Sequence, residues 1–392
     1  MPSDALSAWK ARLHQGLSAL EASSQRRSLA EIHGVNFCSN DYLGLAGDPG
    51  LRAAVAQAVS NAEKVGGTGS RLLSGQTEEW RVLEDEFAEF AGTESALFFT
   101  TGYAANIGLL SSLVGRDDVV FSDERNHASL IDGIRLSGAR KVIYPHLNLN
   151  ALEDALRQAS GAPWRKVIVS ESVFSMDGDT APLVELANLA EKYHAALILD
   201  EAHATGVHGP TGHGLAVAAG LAPKVLAIIH TCGKALASAG AFVCGPGVLK
   251  EHLLNHARTF IFSTALPPYF AAQIRAALGL AEGMDAERAS LLQRASTFRA
   301  ALESEGFDTA GTASQIVPVL LGHNDATLDA AEHLQREGFA IRGIRPPTVS
   351  EGASRLRLSL TTRISEEELS RLLHSLVRWR SRQSSLAVAR HA

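Results

Sequence analysis

The chain has 392 residues, 46% of them hydrophobic and 20% charged, with a formal net charge of -6. That length supports two domains around substantial cores; the acidic balance offers no electrostatic reason for nucleic-acid binding, and no apolar run approaches a membrane span. The N-terminus shows no signal-peptide h-region, and the three cysteines, Cys38, Cys232 and Cys244, have neither metal nor disulfide spacing, as expected in a reducing cytoplasm.

Leu6, Trp9, Leu13, Leu17 and Leu20 recur at helical spacing and predict a first helix, followed by an arm to about Asp41. Gln25-Arg26-Arg27 sits on that arm, where adjacent arginines are either solvated or paired with an acidic group of a substrate. Phe37-Cys-Ser-Asn-Asp-Tyr-Leu-Gly44 reads as a short strand running into turn residues. Gly66-Gly-Thr-Gly-Ser-Arg71-Leu-Leu-Ser-Gly75 fits neither a Walker nor a Rossmann pattern. It is a flexible loop, or a backbone that closes on a ligand or a neighbouring subunit. Thr77 leads a helix with Trp80, Leu83, Phe87 and Phe90 on one face.

Ala96–Phe99 is a predicted strand, and Thr100-Thr-Gly102-Tyr103-Ala-Ala-Asn106 opens the next helix. Backbone N–H groups at such a start bind phosphate; an ordinary strand-to-helix turn is the plainer alternative. Val119–Ser122 is the next strand. His127 follows it, as a cap, a surface residue or a ring stacked on a cofactor. Lys141–Tyr144 and Lys166–Val169 are further strands, flanking a helix that Asn150 and Glu153 would cap. Ser170-Glu-Ser-Val-Phe-Ser175-Met-Asp177-Gly-Asp179 gathers acids and hydroxyls at a strand end, as a site or as a plain acidic turn. Ala195-Ala-Leu-Ile-Leu-Asp200-Glu-Ala-His203 is a continuous apolar strand ending in an acid. Such strands belong to parallel sheets covered on both faces. Ligands bind beyond their carboxyl ends, where Asp200 and His203 fall.

Val225–Ile229 and Gly240–Cys244 are two further apolar runs, and between them lies Thr231-Cys-Gly-Lys234-Ala-Leu-Ala-Ser-Ala-Gly240. A buried amine must be paired or lose its charge. A neutral lysine attacks aldehydes, the Schiff-base chemistry of pyridoxal phosphate (PLP). A surface turn is the bland alternative. Asp200, as partner of a protonated pyridine nitrogen, and His203, beside the phenolate oxygen, make the set far more specific. Cys232 reads as a small buried filler. Ser263 and Thr264 follow, and a long helical region near Ala271–Arg299 leads to a smaller domain. There Gln315–Leu321 and Arg355–Leu360 are strands, the second with one wet face. Leu328–Glu337 is a helix, and Ser365 with Glu368 is a capping box. Ile344-Arg345-Pro-Pro-Thr348-Val349 is a stiff turn whose arginine can clamp a carboxylate. The expected division is an arm over residues 1–41, a large domain over 42–283 and a small domain over 284–392.

Together these stretches resemble the α-oxoamine synthase family of fold-type I PLP enzymes, over nearly the whole chain. The matching pieces are Ser39-Asn-Asp-Tyr-Leu-Gly-Leu45, Phe174-Ser-Met-Asp-Gly-Asp179, Asp200-Glu-Ala-His203, Thr231-x-x-Lys234, Ser263-Thr264 and the Arg-Leu-Arg-Leu strand. The resemblance implies an α/β fold with a large, mostly parallel sheet and a smaller α+β C-terminal domain. It implies that Lys234 carries PLP, that Asp200 pairs with the pyridine nitrogen and that His203 meets the phenolate oxygen. His127 would stack on the ring, and Gly102, Tyr103, Ser175 and Thr231 would help hold it. Ser263 and Thr264 would reach the phosphate of the other subunit in a homodimer. Arg345 would bind an amino-acid carboxylate, Thr348 would line the substrate site, and Arg26 or Arg27 would be the substrate arginine of the arm. Ile344–Val349 points to the member that condenses L-alanine with a pimeloyl thioester of CoA or a carrier protein, with loss of CO2. Siblings acting on glycine or L-serine share the cofactor residues. A non-catalytic PLP-binding regulator is the reading from another class.

Overall fold

Strands form where the chain turns apolar and β-branched, and they fall in chain order as β1 (Val35–Asn36), β2 (Ser95–Phe99), β3 (Asp118–Asp123), β4 (Arg140–Tyr144), β5 (Arg165–Glu171), β6 (Ala195–Asp200), β7 (Ala227–Thr231) and β8 (Ala241–Gly245). A computed structural model describes residues 4–29, 31 and 33–391, with the side chains of 384–391 excepted. Seven strands make one sheet in the order β2-β8-β7-β6-β5-β3-β4. β7, β6, β5, β3 and β4 run parallel, and β8 runs antiparallel to both of its neighbours. Side chains alternate between the faces. Val120, Val167, Val169, Ile198 and Ile229 pack on one side, and Phe121, Ile168, Leu197, Leu199 and Ile228 on the other. With both faces covered, the strands need no polar alternation, which is why they read as unbroken apolar runs.

A second sheet follows, from β9 (Ile316–Gly322), β10 (Phe339–Ala340), β11 (Gly343–Ile344) and β12 (Ser354–Ser359). β12 lies between β9 and β11, antiparallel to both, while β10 pairs with β1. The chain start is thereby held against the C-terminal part. One hydrophobic cluster runs continuously from Phe37 and Tyr42 through Trp80 and Phe87 to Leu356, Leu358 and Leu376.

Four expectations need correction. The strand expected at Phe37 is the two-residue β1 just before it, and Asn36 ends it by accepting backbone N–H bonds from Cys38 and Ser39. The helix Leu149–Gln158 is capped by Asn148, whose side chain accepts from Ala151 N, and not by Asn150 and Glu153. The helical region after Pro268 is two helices, Tyr269–Glu282 and Asp285–Ser304, separated at Gly283-Met284. β12 has no wet face. All six of its residues are buried, because its arginines point at acceptors inside the molecule: Arg355 pairs with Asp177, and Arg357 Nε donates to Ser175 O at 2.5 Å.

The first helix, Ala5–Ala22, forms as its spacing predicts, but it buries none of its residues, and its apolar stripe is exposed. The capping box is present: Glu368 N–H donates to Ser365 Oγ at 3.2 Å, and Ser365 N–H to Glu368 Oε2 at 2.7 Å. Among the described residues all three cysteines are free, and no helix is long and apolar enough to cross a membrane.

Candidate active site

The carboxyl ends of β5, β6 and β7 converge on one cavity of about 360 Å³, with the start of helix Gly102–Leu113 closing it from the side. Lys234 stands in the loop that joins β7 to β8. Burial of its ammonium drives its pKa down to about 8, against the opposing pull of Asp200 and Glu171. Its Nζ lies 2.8 Å from His203 Nε2, and His203 Nδ1 lies 2.7 Å from the hydroxyl of the fully buried Tyr42. Burial, and then the charge of Lys234, push the imidazole of His203 well below its usual pKa. It therefore sits between the two as a neutral ring.

Asp200 ends β6 and is 4% exposed. Its Oδ1 accepts from Ala202 N at 2.9 Å and its Oδ2 from Asn106 Nδ2 at 2.7 Å. Two fixed donors on a carboxyl group leave it one orientation. In the parallel register of β5 and β6, Glu171 lies opposite Asp200. Burial, then the Asp200 charge, raise the pKa of Glu171 far above the carboxylate range. His127 lines the same cavity and caps helix Ala128–Ser137 by accepting from Ser129 N. Its ring meets that of Tyr103 edge-on at 6.3 Å, and the Tyr103 hydroxyl donates to Asp132.

A phosphate-bearing aromatic aldehyde fits these residues. Helix Gly102–Leu113 presents its free N-terminal N–H groups, and Thr101 caps it by accepting from Ala104 N. A Cβ at Gly102 would come within 2.8 Å of the Thr231 methyl, so only glycine lets the backbone approach there. The amine, the acid and the imidazole stand around the space between.

The sequence matches the model of the class I and II aminotransferases over residues 32–376. The 8-amino-7-oxononanoate synthase of Geobacter sulfurreducens is 46% identical over 369 residues, spanning 93% of this chain and 94% of that protein. The chain belongs to the 8-amino-7-oxononanoate synthase family, within the class I and II aminotransferases. Among solved structures, a serine palmitoyltransferase of S. paucimobilis with bound PLP is 27% identical, with a TM-score of 0.86 over 96% of this chain and 98% of that one. The 8-amino-7-oxononanoate synthase of Francisella tularensis is 28% identical, with a TM-score of 0.78 over 90% and 99%. The fold is thus that of the fold-type I PLP enzymes, as expected, and PLP is the cofactor of this family.

Within this family framework the expected residues separate into groups. Gly102, Tyr103, His127, Asp200, His203, Thr231 and Lys234 line one cavity together. Ser175 does not line it; its backbone oxygen holds Arg357. Ser263 and Thr264 border a different, much smaller cleft with Arg71 and Trp80, and Thr264 bridges to Ser70. Arg26 is tied to Glu21 at 2.7 Å. Arg27 Nη2 donates to Pro346 O at 3.2 Å and to Thr348 Oγ1 at 3.3 Å, and Arg345 Nη1 returns a bond to Ser24 O at 2.5 Å. The arm and the Arg345–Thr348 turn therefore clasp each other.

Glu171, from the acid and hydroxyl cluster at the end of β5, lines the cavity, and so do Asn106 and Ser129, which were not singled out for it. Asn106 follows Gly102 by one helical turn, which places both on one side; that spacing was a usable signal. Tyr42 and Arg357 stood in the matching stretches with no role of their own. They come together beside His203 through packing of the C-terminal sheet against the N-terminal turn, where Arg357 Nη1 donates to Asn40 Oδ1 at 3.0 Å and Tyr42 meets His203.

Proposed function

We propose that the protein is a PLP-dependent synthase that condenses L-alanine with a pimeloyl thioester, of CoA or of a carrier protein, to 8-amino-7-oxononanoate, free thiol and CO2, a step of biotin synthesis. The observation that carries this reading is Lys234, an amine with a pKa near 8 set across a cavity from Asp200. PLP, when bound, supplies an electron sink that lowers the cost of removing the α-proton of the amino acid.

Each residue then has a task. Lys234 would hold the cofactor and, with its Nζ free, would be the base that takes the α-proton; a pKa near the working pH suits it to give that proton back. Asp200, held by Ala202 and Asn106, would pair with the pyridine nitrogen, and His203, held by Tyr42, would meet the ring oxygen. Gly102, Tyr103 and the helix start would receive the phosphate, with Thr231 beside them. His127 would cover the ring. Ser175 acts through Arg357, whose Nε its backbone oxygen holds. Thr348 with Arg27, rather than Arg26, forms the substrate side of the arm, and Arg345 supplies a second cation there. Arg357 is the guanidinium whose charge lowers the pKa of both His203 and Lys234. Because its charge acts on both groups, we assign it to the carboxylate of the amino acid along with Arg345.

Ser263 and Thr264 lie away from the cavity of their own chain, which supports a homodimer in which they serve the partner's phosphate. We retain the division into an arm (1–41), a large domain (42–283) and a small domain (284–392), and a cytoplasmic location, supported by the free cysteines. The likeness to a serine palmitoyltransferase, at a higher TM-score than the oxononanoate synthase, keeps L-serine as the competing substrate.

The test is a titration of the purified holoenzyme with L-alanine, glycine and L-serine, followed by pimeloyl-CoA. Alanine alone should perturb the visible cofactor band, and pimeloyl-CoA should then release CO2 and free thiol. A preference for serine or glycine with no response to pimeloyl-CoA would sink the named reaction and leave the cofactor assignment standing.

A further inference from the structure

The proton of His127 is placed by its neighbours. Ser129 N–H points at His127 Nδ1 from 3.2 Å. A backbone N–H can only donate, so Nδ1 keeps its lone pair, and the neutral ring carries its hydrogen on Nε2. The Ser129 hydroxyl lies 2.7 Å from the same nitrogen, and its direction is set from its other side. Asn106 Nδ2 is 2.9 Å from Ser129 Oγ and 2.7 Å from Asp200 Oδ2. The amide nitrogen has two hydrogens, one for each of these oxygens. Ser129 Oγ therefore accepts from Asn106 and gives its own hydrogen to His127. Asn106 is 2% exposed and Ser129 1%, so water does not compete for either. The polarity runs one way, from amide to hydroxyl to imidazole, and Nε2–H is left facing the cavity.

From this chain we infer that Asn106 and Ser129 are positioning residues that lock His127 as the Nε2–H tautomer, making it a hydrogen-bond donor to a substrate oxygen and leaving all proton transfer at carbon to Lys234. The inference rests on the condensation reading above for the identity of the substrate, but not for the tautomer. A neutral imidazole that gave up its Nε2 proton would become an imidazolate. Resupply through Nδ1 would have to come from Ser129, which would become an alkoxide fed by an amide N–H. That path is closed near neutral pH. As a fixed dipole, however, Nε2–H stabilises negative charge gathering on a carboxylate or acyl oxygen without being consumed. The proton balance then closes on one residue. The α-hydrogen passes from carbon to Lys234 Nζ, that carbon bonds to the acyl carbon as the thiolate leaves and takes its proton from solvent, CO2 then leaves with its bonding pair retained on carbon, and Nζ returns its proton to that carbon.

The experiment is nitrogen-15 NMR of the holoenzyme with labelled histidine, His127 being identified by the signals lost in His127→Asn. The expected pattern at pH 7.5 is a protonated Nε2 and a bare Nδ1. Ser129→Ala and Asn106→Ala should shift that pattern toward mixed tautomers. Each should lower kcat about tenfold, as for a weakened oxyanion donor, and Ser129→Ala, which leaves the Asn106 bond to Asp200 in place, should do so at unchanged visible absorbance of bound PLP. A wild-type ring that is protonated on Nδ1, or on both nitrogens, would overturn the inference, even if neither variant folds. So would variants with an unchanged ring or an unchanged kcat. If alanine and pimeloyl-CoA fail to turn over while the wild-type ring shows Nε2–H, the named reaction is wrong and the locked tautomer stands.

Discussion

Two titrating side chains give opposite pH signatures. Lys234 has its pKa lowered by burial from 10.5 to about 8. Uptake of PLP by the apoprotein needs the free amine, so its rate should rise with pH up to about 8 and then level off. A stopped-flow midpoint near 10.5 would mean that burial is not acting on this amine. His146 behaves in the other direction. Burial alone would lower its pKa, but Asp123 on Nδ1 at 2.8 Å and Asp179 on Nε2 at 2.6 Å outweigh it and raise the value to about 9. A histidine whose folded value exceeds its unfolded one stabilises fully below about 6.5, and that contribution is lost as the pH climbs through about 9. The full shift is worth at most about 3 kcal/mol. Urea unfolding of wild type and His146→Gln should therefore differ most near pH 6 and converge toward pH 10; a constant difference would show that packing against Phe174, not charge, is the contribution. Of the three only Asp179 stood out in the sequence, as part of the acidic stretch after β5; Asp123, at the end of β3, and His146, just after β4, did not.

The loop that carries Lys234 is sensitive to a single methyl group. It closes where Cys232 N–H donates to Gly240 O at 2.9 Å, and Gly240 has φ +88°. A Cβ there would lie 2.1 Å from the Phe98 ring, and that ring is stacked on Trp80. Gly240→Ala should cost about 2–4 kcal/mol, from left-handed backbone strain together with overpacking. Thermal unfolding measures it, and a change below about 0.5 kcal/mol would mean the turn relaxes freely. β12 teaches a different lesson. Its alternating Arg-Leu-Arg-Leu reads as a half-exposed strand, because period two distinguishes the faces but not what covers them. The polar face is covered by Asp177, Asn40 and Ser175, all distant in the chain.

At the scale of the molecule, the separation of Ser263 and Thr264 from the Lys234 cavity has a direct test. Lys234→Ala and a Ser263→Ala, Thr264→Ala double variant should each be nearly inactive as homodimers. If these residues serve the partner's phosphate, mixing the two would restore activity only in a hybrid that pairs an intact Lys234 with the intact Ser263 and Thr264 of its partner. Subunit exchange followed by assay should then recover a substantial part of the wild-type rate. No recovery in demonstrated hybrids would place both residues at their own chain's site or at none.

The sequence by itself determined the parallel sheet and the acid, imidazole and amine at its strand ends. Buried parallel strands are written as continuous apolar runs, and polar residues that interrupt such runs at their carboxyl ends have few other places to go. It also carried the helix start at Gly102 and the family pattern. Only the tertiary structure decided which residues hold that set in place. Tyr42 meets His203, and Arg357 reaches Tyr42 from the opposite end of the chain, while Asn106 and Ser129 join His127 to Asp200 across two helices and a strand. Contacts of this kind have no period and no fixed spacing. They arise from the packing of separately formed elements, and the direction of each hydrogen bond is defined only when all of its donors and acceptors are in place.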